Sequence, residues 1–122
     1  MSRYVDGFVI PIKKKNLNAY KKMATVGRNT WMKHGALEYY ECVGSNAKSE
    51  WGVPFSQLCK LKADETVVFA FVVYKSKAHR EKVNKKVHLD LAKLYEDDKN
   101  FEMPFDMKRM TVGEFNTLVY AK

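Results

Sequence analysis

Apolar residues in this chain fall into dense short runs and into steps of three and four, and the two patterns alternate. Tyr4 to Ile12 is a dense run closed by Pro11 and predicts a strand. Asn16 suits a helix N-cap, and behind it Leu17, Tyr20, Ala24, Gly27 and Trp31 recur at helical spacing. Gly27 on that seam lets the helix approach a sheet closely, at a cost of about 1 kcal/mol in helix propensity. Gly35, after His34, fits a C-terminal cap. Ala36 to Val43 reads as a second strand, with Leu37, Tyr39, Glu41 and Val43 on one face and Ala36, Glu38, Tyr40 and Cys42 on the other. Gly44 to Asp64 is irregular and long for a connection; its Trp51, Pro54 and Phe55 imply that part of it folds back onto the body. Glu65 to Tyr74 is the strongest strand, apolar without a break from Val67 to Val73. Ser76 caps a second helix with Val83, Val87, Leu91 and Leu94 as its seam and an expected break near Asp90. Asp97 to Asp106 is a polar loop containing Pro104, and Lys108 to Tyr120 is the last strand, with Gly113 as its bulge.

The order is β-α-β-β-α-β, which predicts an α+β, ferredoxin-like domain spanning residues 1–122. Right-handed crossovers put both helices on one face of a four-stranded antiparallel sheet. A strand with one wetted face alternates apolar and polar residues, yet Val67 to Val73 does not alternate. The face away from the helices therefore needs a cover, and a second copy of the chain is the economical one. The expected assembly is a homodimer through the sheet face.

Composition adds limits to this picture. The chain has 122 residues, 46 % of them hydrophobic and 30 % charged, as in an ordinary single globular domain. No run of about 18 apolar residues occurs, so no membrane span is expected. The opening Met1-Ser2-Arg3-Tyr4 leads straight into a strand pattern without the apolar stretch of a secretory signal. Two cysteines, Cys42 and Cys59, fit neither a CxxC site nor a disulfide framework, so a cytoplasmic location is expected. Net charge is +8, concentrated on the two helices. Lys21, Lys22, Arg28, Lys82, Lys85 and Lys86 make the alternative reading a nucleic-acid or anionic-partner binding surface. A solvated helix face is the commoner use of such lysines.

Candidate chemistry is sparse. His34 reads either as a general acid/base at a pocket mouth or as a histidine held by a helix C-terminus, and the second is favoured. His79 and Arg80 open the second helix, where they either hold an anionic ligand or lie in a capping turn. Asp6, Glu38, Glu41 and Glu114 interrupt strands; each pairs with a base such as Arg3, Lys108 or Arg109 or lines a polar pocket. Arg109, beside Asp106, binds an anion or closes a salt-bridged loop end. Three histidines without HxH or HExxH spacing make a metal site improbable, and no P-loop, GxGxxG or GxSxG pattern occurs. Phe69 to Tyr74 matches the aromatic part of the RNA-recognition-motif consensus, but Val67 and Val68 replace its basic residue and glycine.

Several blocks together resemble the YbaA-like family of uncharacterised bacterial proteins. They are Tyr4-Val5-Asp6-Gly7-Phe8-Val9, Trp31 with His34-Gly35-Ala36-Leu37-Glu38-Tyr39, and Lys60-Leu61-Lys62 followed by Glu65-Thr66-Val67-Val68-Phe69. Ala78-His79-Arg80 with Val83-Asn84 and Lys86-Val87, and Met103-Pro104-Phe105-Asp106 with Lys108-Arg109-Met110, complete the set. The resemblance covers about residues 3 to 120 and implies the dimeric α/β-barrel superfamily, with no established activity. The functional expectation is a small-molecule pocket between sheet and helices, with no cofactor. Some superfamily relatives are cofactor-free enzymes; whether this chain is an enzyme stays open. His34, Glu38 and Asp6 are the catalytic candidates, and His79, Arg80 and Arg109 the ligand-binding ones.

Overall fold

The computed structural model describes residues 3–46 and 48–121. Met1 and Ser2 of the expected opening, Ala47 of the long loop and Lys122 lie outside the described residues. Four strands, β1 (Tyr4–Lys13), β2 (Glu38–Val43), β3 (Glu65–Tyr74) and β4 (Thr111–Asn116), form an antiparallel sheet in the order β2-β3-β1-β4. Helix α1 (Leu17–Lys33) joins β1 to β2, and α3 (Lys77–Tyr95) joins β3 to β4. A single turn, α2 (Phe55–Leu58), sits in the β2–β3 connection. This is the ferredoxin-like β-α-β-β-α-β unit.

The register pairs Tyr4 with Tyr74 and runs without interruption to Lys13 opposite Glu65. Strand parity then sorts the side chains. Even-numbered residues of β1 and β3 face α1 and α3. Two apolar clusters form there. Tyr4, Ala36, Val72, Tyr74, Val83 and Val87 fill one end. Ile10, Ile12, Tyr20, Ala24, Val68 and Ala70 fill the other. Phe8 packs against both.

On the opposite face, the connection carrying α2 folds back as the sequence implies. Phe55 meets Phe69 edge-on, 6.4 Å between ring centroids. That end is sealed, with Pro11 and Val67 buried. Val73, at the other end of this face, is buried too, while Tyr40, Phe69 and Phe115 stay bare at 49 %, 46 % and 56 % exposed. Trp51 does not join the body and is 88 % exposed.

Other boundaries depart from the sequence pattern for identifiable reasons. The Asn16 side chain does not cap α1; its amide donates to the Pro104 carbonyl instead, which ties the 97–106 loop to the helix start. Helix α3 does not break at Asp90. Asp90 reaches across to Lys33 and His34 at the end of α1, so its side chain is bonded outside the helix backbone. The α3 seam continues from Leu91 to Tyr95, one turn on, rather than to Leu94, which is exposed. The last strand ends at Asn116 because its neighbour β1 begins at Tyr4, its partner there. Lys108 and Arg109 belong to a 3-10 turn whose Asp106 cap accepts from the Lys108 amide. Gly113 makes no bulge. It pairs squarely with Gly7, and a Cβ on either would come within 3.0 Å of the Phe115 ring. The two glycines make room for that ring on the bare face.

Val87 is fully buried, so Val87→Ala should cost about 2 kcal/mol through lost burial and a residual cavity. Leu94→Ala should stay within about 0.5 kcal/mol, as an exposed position does. Urea denaturation of the two variants checks which residue carries the seam.

Candidate functional site

Between the two apolar clusters the helices stand off the sheet and leave a cavity of about 310 Å³. Its floor is Phe8 and Ile10 of β1 with Ala70 and Val72 of β3. Met23, Ala24 and Trp31 of α1 form one wall, and Leu91 and Tyr95 of α3 the other. The supposedly polar 97–106 loop closes the mouth with Phe101, Met103 and Phe105. Aromatic contacts brace these walls. Tyr95 lies 4.6 Å from Phe101, and Tyr20 meets Phe105 edge-on at 5.8 Å.

One carboxylate lines this apolar space. Glu41 of β2 accepts a 2.6 Å hydrogen bond from the Tyr20 hydroxyl on one oxygen and a 2.6 Å bond from Tyr39 on the other. Gly27 makes this possible, because a Cβ there would lie 2.8 Å from the Tyr39 hydroxyl oxygen. Burial, with the hydrogen bond donated to Glu41 and the charge of that carboxylate, pushes the Tyr20 hydroxyl well above the usual tyrosine range. Burial, together with the charge of Glu41, does the same to Tyr39. Both therefore keep their protons and donate. The carboxylate is reached from the cavity and from a second groove lined by Lys21, Thr25 and Arg28, but no basic side chain pairs with it among the described residues.

The sequence candidates lie elsewhere. Asp6 is buried, yet it faces a polar hub rather than the cavity. It accepts from Arg80 at 2.7 Å and from the Tyr74 hydroxyl at 2.9 Å. Arg80 also meets Glu81 at 2.9 Å and Glu114 at 3.6 Å, so three carboxylates surround it. His79 accepts the Lys75 amide at 2.9 Å, and burial holds its pKa below the ordinary histidine value. His34 does not line this cavity; its ring nitrogen lies 2.6 Å from Asp90. Glu38 is exposed on the side of β2 away from the cavity. Arg109 grips Glu65 and donates to the Cys59 and Lys60 carbonyls at the far end of the sheet. His79, Arg80 and Arg109 thus form no common anion site. The partners expected for the strand carboxylates also change: Asp6 takes Arg80, Arg109 takes Glu65, and Tyr4 donates to Glu114 at 2.6 Å. Lys21, Lys22, Arg28, Lys82, Lys85 and Lys86 are all exposed. Among the described residues no three His, Cys, Asp or Glu side chains converge as a metal site requires.

Glu41 is the cavity's polar group, and strand parity already places it on the face of Tyr39. Its signal was a carboxylate on the helix-facing side of β2 with no base at helical or strand spacing to pair it.

Removing Asp6 strands Arg80 and Tyr74, so Asp6→Ala should destabilise by about 3 kcal/mol, against about 0.5 kcal/mol or less for the exposed Glu38→Ala. Equilibrium unfolding of both variants decides this. The Arg109 hydrogen bond holds Glu65 below the usual carboxylate range; the His34 bond does so for Asp90 and the Tyr4 bond for Glu114. Folded values below unfolded ones near about 4 give stability that is complete above the unfolded value and lost as pH falls through the folded values. These three carboxylates should leave the urea midpoint level above about pH 4.5 and lower it below that, on top of the loss that His79, with its depressed pKa, adds as pH falls below about 6.5; the drop below about pH 4.5 should be shallower in Glu65→Gln.

Residues 3–107 match the family described as protein of unknown function, DUF1428. The chain is 33 % identical over 117 residues to the uncharacterised protein YbaA of Escherichia coli (strain K12), covering 96 % of this chain and 97 % of that protein. YbaA of Shigella flexneri aligns over 117 residues at the same identity. No helix among the described residues is long and apolar enough to cross a membrane. A solved dimeric ferredoxin-like protein from an uncultured marine organism shares the fold, with a TM-score of 0.54 over 100 % of this chain and 99 % of that one at 12 % identity. By a family match across most of its length and a third of its residues shared with YbaA, the chain belongs to the DUF1428 family.

Proposed function

We propose that this chain is a homodimer, joined through the sheet face away from α1 and α3, that binds a largely apolar small molecule between sheet and helices. The observation that carries the ligand reading is the cavity of about 310 Å³, walled by aromatic and thioether side chains with a single carboxylate. Interiors are close-packed, and a space of this size with one placed polar group is the usual form of a ligand site. Glu41 can accept a proton, so cofactor-free acid–base chemistry on the bound molecule extends the same reading.

The dimer is supported by the exposed row of Tyr40, Phe69 and Phe115 and by exposed Trp51 and Leu58 in the connection beside it. The solved protein of the same fold is dimeric. Free Cys42 and Cys59 favour a reducing, cytoplasmic setting. An RNA-binding role is less well served. The helix lysines lie on one side of the sheet and the stacked Tyr40 and Phe71 on the other, whereas base stacking and phosphate contact need a shared surface.

Light scattering at micromolar concentration should give a dimer mass, and Phe69→Glu should give a folded monomer; a monomeric wild type sinks the dimer. A thermal-shift screen against apolar metabolites should find compounds that raise Tm. Ala24→Phe, which fills the cavity, should abolish those shifts. A screen without a single hit, or hits unaffected by that variant, overturns the pocket. Tight RNA binding with a steep salt slope, lost on charge reversal of the helix lysines, would replace this reading with the nucleic-acid one.

A further inference from the structure

Hydrogen-bond accounting at the polar end of the cavity sets the chemical class of its ligand, given the pocket reading above. Three strong donors line that end, and all three are spent. The Tyr20 and Tyr39 hydroxyls both donate to Glu41. The Trp31 indole N–H donates to the Tyr74 hydroxyl at 3.0 Å. Among the described residues no Lys, Arg or His lines the cavity; Lys21 and Arg28 line the groove on the other side of Glu41. The other lining tyrosines, Tyr40 and Tyr95, sit on the opposite parity of β2 and at the C-terminal end of α3. An anionic ligand head entering from the cavity would meet the Glu41 carboxylate with none of these three donors free to receive it, and Lys21 and Arg28 line the groove beyond it.

What remains unspent is acceptor capacity. Each Glu41 oxygen accepts one tyrosine proton and keeps a further lone pair. The walls around that end are aromatic, Trp31 and Tyr39 at 5.8 Å from each other and Tyr20 against Phe105, which suits the body of a ligand whose charged end sits on Glu41. We propose that the cavity takes an apolar amine: an aromatic or aliphatic body among Phe8, Leu91 and Phe101, with its ammonium group on Glu41 between Tyr20 and Tyr39. The net charge of +8 opposes a cation at long range, but at physiological salt that field is screened within about 8 Å, and the contact at Glu41 decides.

Three probes of nearly one shape separate the possibilities: tryptamine, 3-ethylindole and indole-3-acetate, carrying a positive, a neutral and a negative end. Calorimetric titration of the wild-type protein at pH 7 should rank them in that order, with tryptamine at least about tenfold tighter than 3-ethylindole, as a charge-assisted hydrogen bond implies. Glu41→Gln should remove the advantage of tryptamine over 3-ethylindole while leaving 3-ethylindole binding near its wild-type value. The wild-type ranking stands alone should that variant fold poorly. Equal binding of tryptamine and 3-ethylindole, or tighter binding of indole-3-acetate, overturns the amine assignment and leaves the apolar pocket intact. Binding by none of the three overturns the amine assignment, and the metabolite screen then judges the pocket separately.

Discussion

The hydroxyl of Tyr74 holds this fold in one arrangement. It donates to Asp6 on β1 at 2.9 Å and accepts from Trp31 on α1 and Asn84 on α3, both at 3.0 Å. A hydroxyl has one proton and two lone pairs, and all three are used. Sheet, first helix and second helix thus converge on one buried oxygen. Arg80 completes the hub by pairing with the other oxygen of Asp6. An Asp in the middle of a strand is costly unless it is bonded in this way, and once bonded it tolerates little displacement of either helix.

Fixing the helices at that end has consequences along their length. Apolar packing holds α1 to the sheet again at Ile10, Ile12, Tyr20 and Val68, where the second cluster lies. Between the two anchors the helices cannot settle further, because Gly27 admits the Tyr39 hydroxyl and the Tyr20–Glu41–Tyr39 bridge spans helix and strand. The cavity is the space those fixed contacts leave. Its mouth is shaped by a third tie, the Asn16 amide on the Pro104 carbonyl, which brings the aromatic 101–105 segment over the opening.

The other side of the sheet obeys a different constraint. Glu65 and Arg109 pin the α2 connection against one end of it, and among the described residues no further helix or strand spreads over the rest. Charge is segregated accordingly: the exposed helix lysines lie outward on one side, and an apolar row faces outward on the other. Positive charge disfavours contact between copies on the helix side, and burial of apolar surface, at roughly 25 cal/mol per Å², would favour it on the sheet side, as the proposed dimer requires.

Periodicity and parity were enough to read the element order, the sheet and the sides of its strands, because these follow from local geometry repeated along the chain; the unbroken Val67 to Val73 run overstated the bare area, since Val67 and Val73 are buried within the chain. Ser76 as a cap and Gly35 at φ 105° were legible for the same reason. The partners of the charged residues were not. Asp6 meets Arg80 across 74 positions and Glu65 meets Arg109 across 44, and no spacing rule links residues so far apart. The polar look of the 97–106 stretch concealed Phe101, Met103 and Phe105, whose placement rests on the Asn16 bond to Pro104 together with ring contacts to Tyr95 and Tyr20. Above all, Glu41 among four strand carboxylates became the cavity's polar group only when two tyrosines, one near in sequence and one on another element, closed on it. The pattern of one chain states which face a residue takes; which residues meet across that face is settled by packing, where every volume is shared with elements distant in sequence.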